Sequence, residues 1–137
     1  MKVLIDTNIV VDNFARRDEY GDSLGIFNLC EDGELQGVIS TVTIMDVMYV
    51  LRKYMGSTEA RNATTMLIQI VDVVPVLESD INVALTSDFS DFEDAVQATC
   101  AARIKADYIV TRNVIDFKNS SVPAISPSNI LSLLQTL

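Results

Sequence analysis

A chain of 137 residues with 49% hydrophobic content suits one domain that buries its own core without disulfide staples. It contains no histidine, which excludes Ser-His-Asp triads, Cys-His pairs, histidine-based ribonucleases and nearly all zinc hydrolases. Its formal charge of −9 argues against passive electrostatic binding of nucleic acid, so a polyanionic substrate would need local basic patches or bound cations.

In chain order, Val3 to Asp6 reads as a short buried strand that ends on a carboxylate, with a helix starting near Thr7-Asn8. Tyr20 to Cys30 has helical spacing and runs into the turn Glu31-Asp32-Gly33. Gly37 to Ser40 is a second strand. Thr41 or Thr43 then caps a long apolar helix reaching about Tyr54, which Gly56 stops. Ser57-Thr58-Glu59 starts another helix, to about Ile70, and Val71 to Leu77 is extended and broken by Pro75. Ser79-Asp80 begins a short helix and Ser90 to Asp94 opens a longer one with carboxylates at its positive end. Asp107 to Thr111 and Pro123 to Ser126 are the last strands, and Pro127 suits the first position of a terminal helix.

Alternating strands and helices call for an α/β domain whose parallel sheet is covered on both faces, spanning residues 1–137 without a linker. No apolar run approaches the roughly 20 residues of a membrane helix. The N-terminus starts a strand at once with no signal-peptide layout, so the expected compartment is the cytoplasm and no membrane partner is expected. Cys30 and Cys100 are too few and too isolated for a disulfide framework or a zinc site, and read as reduced, buried small hydrophobes.

In open α/β sheets, ligand sites collect beyond the carboxyl ends of the strands. Asp6 and Thr111 both lie at such ends and meet if their strands are neighbours. Asp6 alone could be a helix cap. Asp46 lies in a helix apolar nearly all round and so expected to be buried; there it is a capping-box acid after Thr43, an acid satisfied by Arg or Lys, or a metal ligand. Asp94, in "DFEDAVQATCAARIKAD", shares a face with Asp91, beside Ala95, Ala98 and Ala102; ordinary first-turn acid enrichment explains part of this. In "DYIVTRNVIDF", Thr111, Asn113 and Asp116 offer polar groups that a plain helix start would also contain. Together, four acids at strand ends or on helices can converge on one pocket. Clustered carboxylates raise one another's pKa unless a cation joins them, and all-oxygen ligation selects Mg²⁺ or Mn²⁺.

The segments "VLIDTNIVVD", "DFEDAVQATCA" and "ADYIVTRNVIDF", with a helical acid after the second strand, occur in an order that resembles the PIN-domain ribonucleases, including VapC-like toxins of type II toxin–antitoxin pairs. The resemblance runs through essentially the whole chain and implies a three-layer α/β/α sandwich with a short central parallel sheet. It also implies metal-dependent cleavage of RNA phosphodiester bonds with Mg²⁺ or Mn²⁺. Asp6 and Asp94 match the main metal ligands, Asp46 and Asp116 position water or complete the shell, and Thr111 supports the site. Two positions depart from the family pattern. Asp46 stands where Glu is usual, one methylene short, and neutral Asn113 stands where many members have Asp. Arg16, Arg17, Arg52, Lys53, Arg112 and Lys118 are candidates for contacts with the RNA backbone.

The partners implied are single-stranded RNA or tRNA, an antitoxin with a basic segment, and a second copy of the chain. The dimer is expected on the apolar helices around Met45–Tyr54 and Ala63–Ile70. A housekeeping RNA-processing nuclease would share every site residue, and a PIN-like scaffold binding RNA or protein without turnover is the non-enzymatic alternative. A receiver-like phosphorylation domain would need its acceptor Asp at the end of a mid-chain strand. A haloacid-dehalogenase-like phosphatase would need an acid where Asn8 stands.

Overall fold

The computed structural model describes residues 1–17 and 20–137. Its short apolar runs form strands β1 (Lys2–Ile5), β2 (Gln36–Ser40), β3 (Asp72–Val74), β4 (Tyr108–Val110) and β5 (Ala124–Ile125). All pair in parallel, in the order β3-β2-β1-β4-β5. The helices are α1 (Thr7–Ala15), α2 (Tyr20–Glu31), α3 (Thr41–Met55), α4 (Ser57–Ile70), α5 (Glu78–Leu85), α6 (Phe92–Arg103) and α7 (Pro127–Gln135). A 3-10 turn covers Val114–Phe117.

Alternate side chains of each strand point to opposite faces. Val3, Ile5, Ile39 and Val110 meet α1, α2, α3, α4 and α7 through Ile9, Ile26, Val47, Leu67 and Ile130. Leu4, Val38, Val74 and Ile109 meet the other layer through Ala98 and Ala101 of α6 and Phe117. Both faces are therefore covered, which is why the strands read as continuous apolar runs. The result is the expected α/β/α sandwich.

Several local features follow from residue chemistry. Gly37 sits where α2 crosses β2, and a Cβ there would stand 2.6 Å from Cys30 Sγ. Cys30 and Cys100 are both free and buried. Asp80 is buried under α6, where Arg103 Nη2 reaches its Oδ2 at 2.9 Å and also donates to the Pro75 carbonyl. Burial pushes the Asp80 carboxyl up, but the Arg103 guanidinium and the Leu77 N–H outweigh it and hold the pKa below the ordinary value. Among the described residues, no helix is long and apolar enough to cross a membrane.

Two expectations about α3 are corrected. Its N-cap is Ser40, whose Oγ accepts from the Thr43 N–H at 3.3 Å, rather than Thr41 or Thr43. Asp46 thus falls in the second turn, beyond the reach of a capping box. Nor is α3 buried all round. It packs against α1 and α4, burying Val47 and Leu51, while Met45 and Tyr49 remain 70% and 55% exposed. Asp46 is half-buried on its flank.

Candidate active site

The strand order runs outward from β1 through β2 to β3 on one side and through β4 to β5 on the other, so β1 and β4 form the switch point of the sheet. Asp6 and Thr111 follow these two strands directly. Asp6 is 7% exposed. Its Oδ1 accepts from the Thr7 N–H at 2.8 Å, capping α1, and its Oδ2 accepts from Thr111 Oγ1 at 2.8 Å. Capping and site roles coexist on one carboxylate. Burial raises the Asp6 pKa; Thr111, the Thr7 N–H and the Gln97 amide favour the charged form, and nearby Asp91 opposes it, for a net rise. Thr111, fully buried, also accepts from the Asn113 N–H at 3.0 Å, so its hydroxyl joins the end of β1 to the loop after β4.

Helix α6 brings its N-terminal acids to the same place. Asp91 is its N-cap, accepting from the Asp94 N–H at 2.9 Å. Asp94 is half-buried, and its pKa is pushed up to about 7 by burial and then by the charges of Asp91, Asp6 and Asp116. Glu93, which the sequence reading passed over as a helix-opening acid, is pushed up to about 8. The causes are a hydrogen bond shared with Asp46, burial, and the charges of Asp46, Asp91 and Asp6. Asp6, Asp91 and Asp116 thus act on Asp94, while Asp46 lies beside Glu93 and is tied to none of the other three predicted acids directly.

Beneath the acids lies a buried polar layer. Gln97 Nε2 donates to Thr43 Oγ1 at 2.8 Å, and Thr43 Oγ1 lies 2.9 Å from Thr7 Oγ1. Gln97 Oε1 and Asn8 Oδ1 are buried without a hydrogen-bond partner in the protein. Buried carbonyl oxygens of this kind call for a donor or a cation.

The basic candidates are placed differently. Arg112 Nε pairs with Asp12 Oδ2 of α1 at 2.8 Å, with Asp12 1% exposed, so its charge is bound to an acid outside the cluster. Lys53 and Arg52 lie over the ring of Tyr49, at 4.1 and 5.9 Å from its centroid, on the exposed side of α3. Arg16 ends α1 in the left-handed conformation. Lys118 lines a groove with Asp116, Asp88, Phe89, Ser90, Ile115 and Asn119, alongside the acids. Asn113 and Asp116 are exposed at the rim.

The donor set suits a hard divalent cation: the groups acting on Asp6, Glu93 and Asp94 are other acids and neutral hydrogen-bond donors. Among the described residues, no three acidic or sulfur side chains are gathered closely enough to enclose an ion by themselves. An ion that keeps several waters, as Mg²⁺ does, meets both conditions.

A family model described as a PIN domain matches residues 2–115. Comparison with curated protein sequences gives no match. Among solved structures, DNA-bound VapBC from Salmonella typhimurium is similar at a TM-score of 0.70 and 17% identity, covering 93% of this chain and 98% of that one. A toxin–antitoxin complex from Klebsiella pneumoniae gives 0.69 and 23%, covering 91% and 97%. The sarcin–ricin-loop-cleaving toxin VapC20 of Mycobacterium tuberculosis gives 0.63 and 16%, covering 78% and 86%. At these identities the likenesses establish a shared fold; the family match over residues 2–115 goes further, and on it the chain belongs to the PIN-domain family.

Proposed function

We propose that this protein, acting as one PIN domain over residues 1–137, is a Mg²⁺- or Mn²⁺-dependent ribonuclease and the toxin of a toxin–antitoxin pair. The reading is supported by Asp6, buried at the switch point of the sheet, and by Asp94, on which the charges of Asp6 and Asp116 act. Asp94 is pushed up to about 7 in part by the charges of the other two. Such mutual repulsion is costly without a cation and is relieved by one. The Klebsiella neighbour, a toxin–antitoxin complex, and the mycobacterial one, a sarcin–ricin-loop-cleaving toxin, support the substrate class and the biological role.

In this reading Asp6 and Asp94 hold the ion, with Asp116 completing the shell and Asp46 acting through water. When bound, the ion polarises the scissile phosphate, lowers the pKa of an attacking water and stabilises the departing oxygen. Thr111 fixes the rotamer of Asp6 by donating to Oδ2. Gln97 and Thr43, hydrogen-bonded to each other and buried, form the floor of the site. Asn113, exposed beside Thr111, presents a neutral amide to the RNA where an acid would repel it. Lys118, which lines the groove with Asp116, would contact a phosphate. Cytoplasmic RNA of the single-stranded or tRNA class is the expected substrate. The expected regulator is an antitoxin whose basic segment enters the acidic pocket.

A cleavage assay on single-stranded RNA and tRNA with Mn²⁺ tests the reading. Wild-type protein should cut, Asp6→Asn and Asp94→Asn should lose at least about a hundredfold in rate, and a chelator should abolish the activity. Equal rates in all three proteins, or cleavage that survives the chelator, would sink it. The neutral Asn113 and the open spacing of the acids favour one second reading, a PIN scaffold that binds RNA without cutting it. RNA binding by the wild type with no turnover would select it. A housekeeping RNA-processing role shares the same site and is distinguished by the absence of an adjacent gene for a basic-tailed partner.

A further inference from the structure

The groove that Asp116 lines is about 500 Å³ in volume, the size of a small-molecule pocket. One wall is the segment leading into α6, with Asp88 and Phe89 ahead of the N-cap Asp91. The other is the 3-10 turn and the residues after it, which pack against α6. Two contacts tie the walls together. Asn119 Nδ2 donates to the Asp88 carbonyl at 2.9 Å, and the Phe89 ring meets the buried Phe117 ring edge-on, with centroids 6.3 Å apart. The protein itself therefore shapes the groove. Ile115 is 77% exposed at its lip and Phe89 is half-buried, so a flat apolar ring has two side chains to lie against. Asp88, Asp116 and the Asn119 amide oxygen are hydrogen-bond acceptors, and Lys118 supplies the cation. A phosphate would meet two carboxylates for one ammonium here, which disfavours it. A ring whose edge donates hydrogen bonds suits the same walls.

We propose that this groove receives the nucleobase of the nucleotide next to the cleaved phosphodiester bond, and selects bases that carry an exocyclic amine (adenine, cytosine and guanine) over uracil. The proposal rests on the ribonuclease reading above and gives it a sequence preference. A base splayed out of a single strand offers an apolar face and a polar edge. The face lies on Phe89 and Ile115, a contact that every base can make. The edge discriminates. Amino groups donate to carboxylates, as cytosine N4 does to Asp or Glu. Uracil presents carbonyl oxygens on either side of its one N–H and sets acceptor against acceptor. Asp116 serves the ion in the reading above, which leaves Asp88, on the opposite wall, as the acid that reads the base. Lys118 takes a phosphate of the same nucleotide.

The test is cleavage of a random-sequence single-stranded RNA pool by the whole purified chain with Mn²⁺, with the flanks of every cut read by sequencing. Wild type should show uracil depleted about tenfold against the other bases at one flanking position. Asp88→Asn puts an amide N–H where a carboxylate oxygen stood, so uracil there should recover at least about fivefold relative to the other bases. The ratio is taken within one reaction, so a general change in rate does not enter it. Asp88 and Ile115 are both exposed, and replacing them leaves the core untouched. A second measurement uses an RNA that lacks the base at the depleted position. Its loss of rate should be smaller for Ile115→Ser than for wild type, because the variant has already given up part of the ring contact. Cutting without uracil depletion, or depletion unchanged in Asp88→Asn, would overturn the proposal and leave the ribonuclease reading standing. An equal loss in wild type and Ile115→Ser would overturn the seat of the base on Ile115. No cutting of any RNA would overturn the ribonuclease reading and this proposal with it.

Discussion

Thr111 carries more of the site than a neutral hydroxyl suggests. It donates to Asp6 Oδ2 and accepts from the Asn113 N–H, so a single buried atom holds the central carboxylate and the loop after β4 in one arrangement. Thr111→Val keeps the shape but leaves both partners unpaired, at a cost of about 1–3 kcal/mol measurable by chemical denaturation. It also removes a group that favours the charged form of Asp6, so the acid limb of the cleavage–pH profile should move to higher pH. A loss of stability with an unmoved profile would make Thr111 a structural residue only. The acids themselves give a pH signature. Asp94 and Glu93 are raised to about 7 and about 8 from ordinary values of 3.8 and 4.5. The folded protein therefore keeps protons that the unfolded chain has already released, and its stability falls as pH rises through that window. The metal-free protein should melt at a lower temperature at about pH 8.5 than at about pH 5.5. Mn²⁺ should remove much of the decline by offsetting the charges. Asp80 has the opposite sign: its lowered pKa gives stability that is lost only as pH falls below the ordinary carboxylate range, outside that window.

At the scale of elements, α1 acts as a clamp. Its N-cap Asp6 holds Thr111, and Asp12 in the same helix holds Arg112, so consecutive residues after β4 are gripped from one side. Arg112→Gln removes the ion pair and should destabilise the fold by about 1–3 kcal/mol. It should also slow cleavage, because the loop carries Asn113 and leads to Asp116. An equilibrium unfolding curve identical to wild type would show the clamp to be idle. Elements of this kind were half legible in the sequence. Asp6 and Thr111 could be found because an apolar run that stops on a polar residue is a local pattern, and the βα alternation placed both at carboxyl ends of strands. Their contact needed β1 and β4 to be neighbours, which the structure supplies. Glu93 was not legible, because what distinguishes it from any first-turn acid is Asp46 on another helix. The exposed side of α3 was hidden for a different reason. With Val42, Ile44, Met45, Val47, Met48, Tyr49, Val50 and Leu51 nearly consecutive, the helical period is erased. Only the positions of α1 and α4 decide which of these residues face outward.

For the whole molecule, the charge of −9 and the exposed apolar surface pull in different directions, and salt separates them. A groove between α3 and α4 is lined by Met45, Met48, Tyr49, Arg52, Ser57 and Arg61, with Met45 and Tyr49 well exposed. This is the surface on which we expect a second copy of the chain, since exposed apolar patches of this kind mark interfaces. Two copies carry the same net charge and repel each other over distances that salt screens. Self-association driven by apolar contact should therefore tighten as ionic strength rises. The basic antitoxin segment proposed above would be attracted by the same field, and its binding should weaken under the same change. Light scattering coupled to gel filtration should find a dimer that dissociates on dilution more readily in low salt than in high. Met45→Asp with Tyr49→Asp should yield a monomer of unchanged secondary structure. Because binding to the folded state stabilises it by mass action, the wild-type Tm should rise with protein concentration and that of the double variant should not. A monomeric wild type at every salt concentration, or a dimer that survives both substitutions, would place the association surface away from α3 and α4.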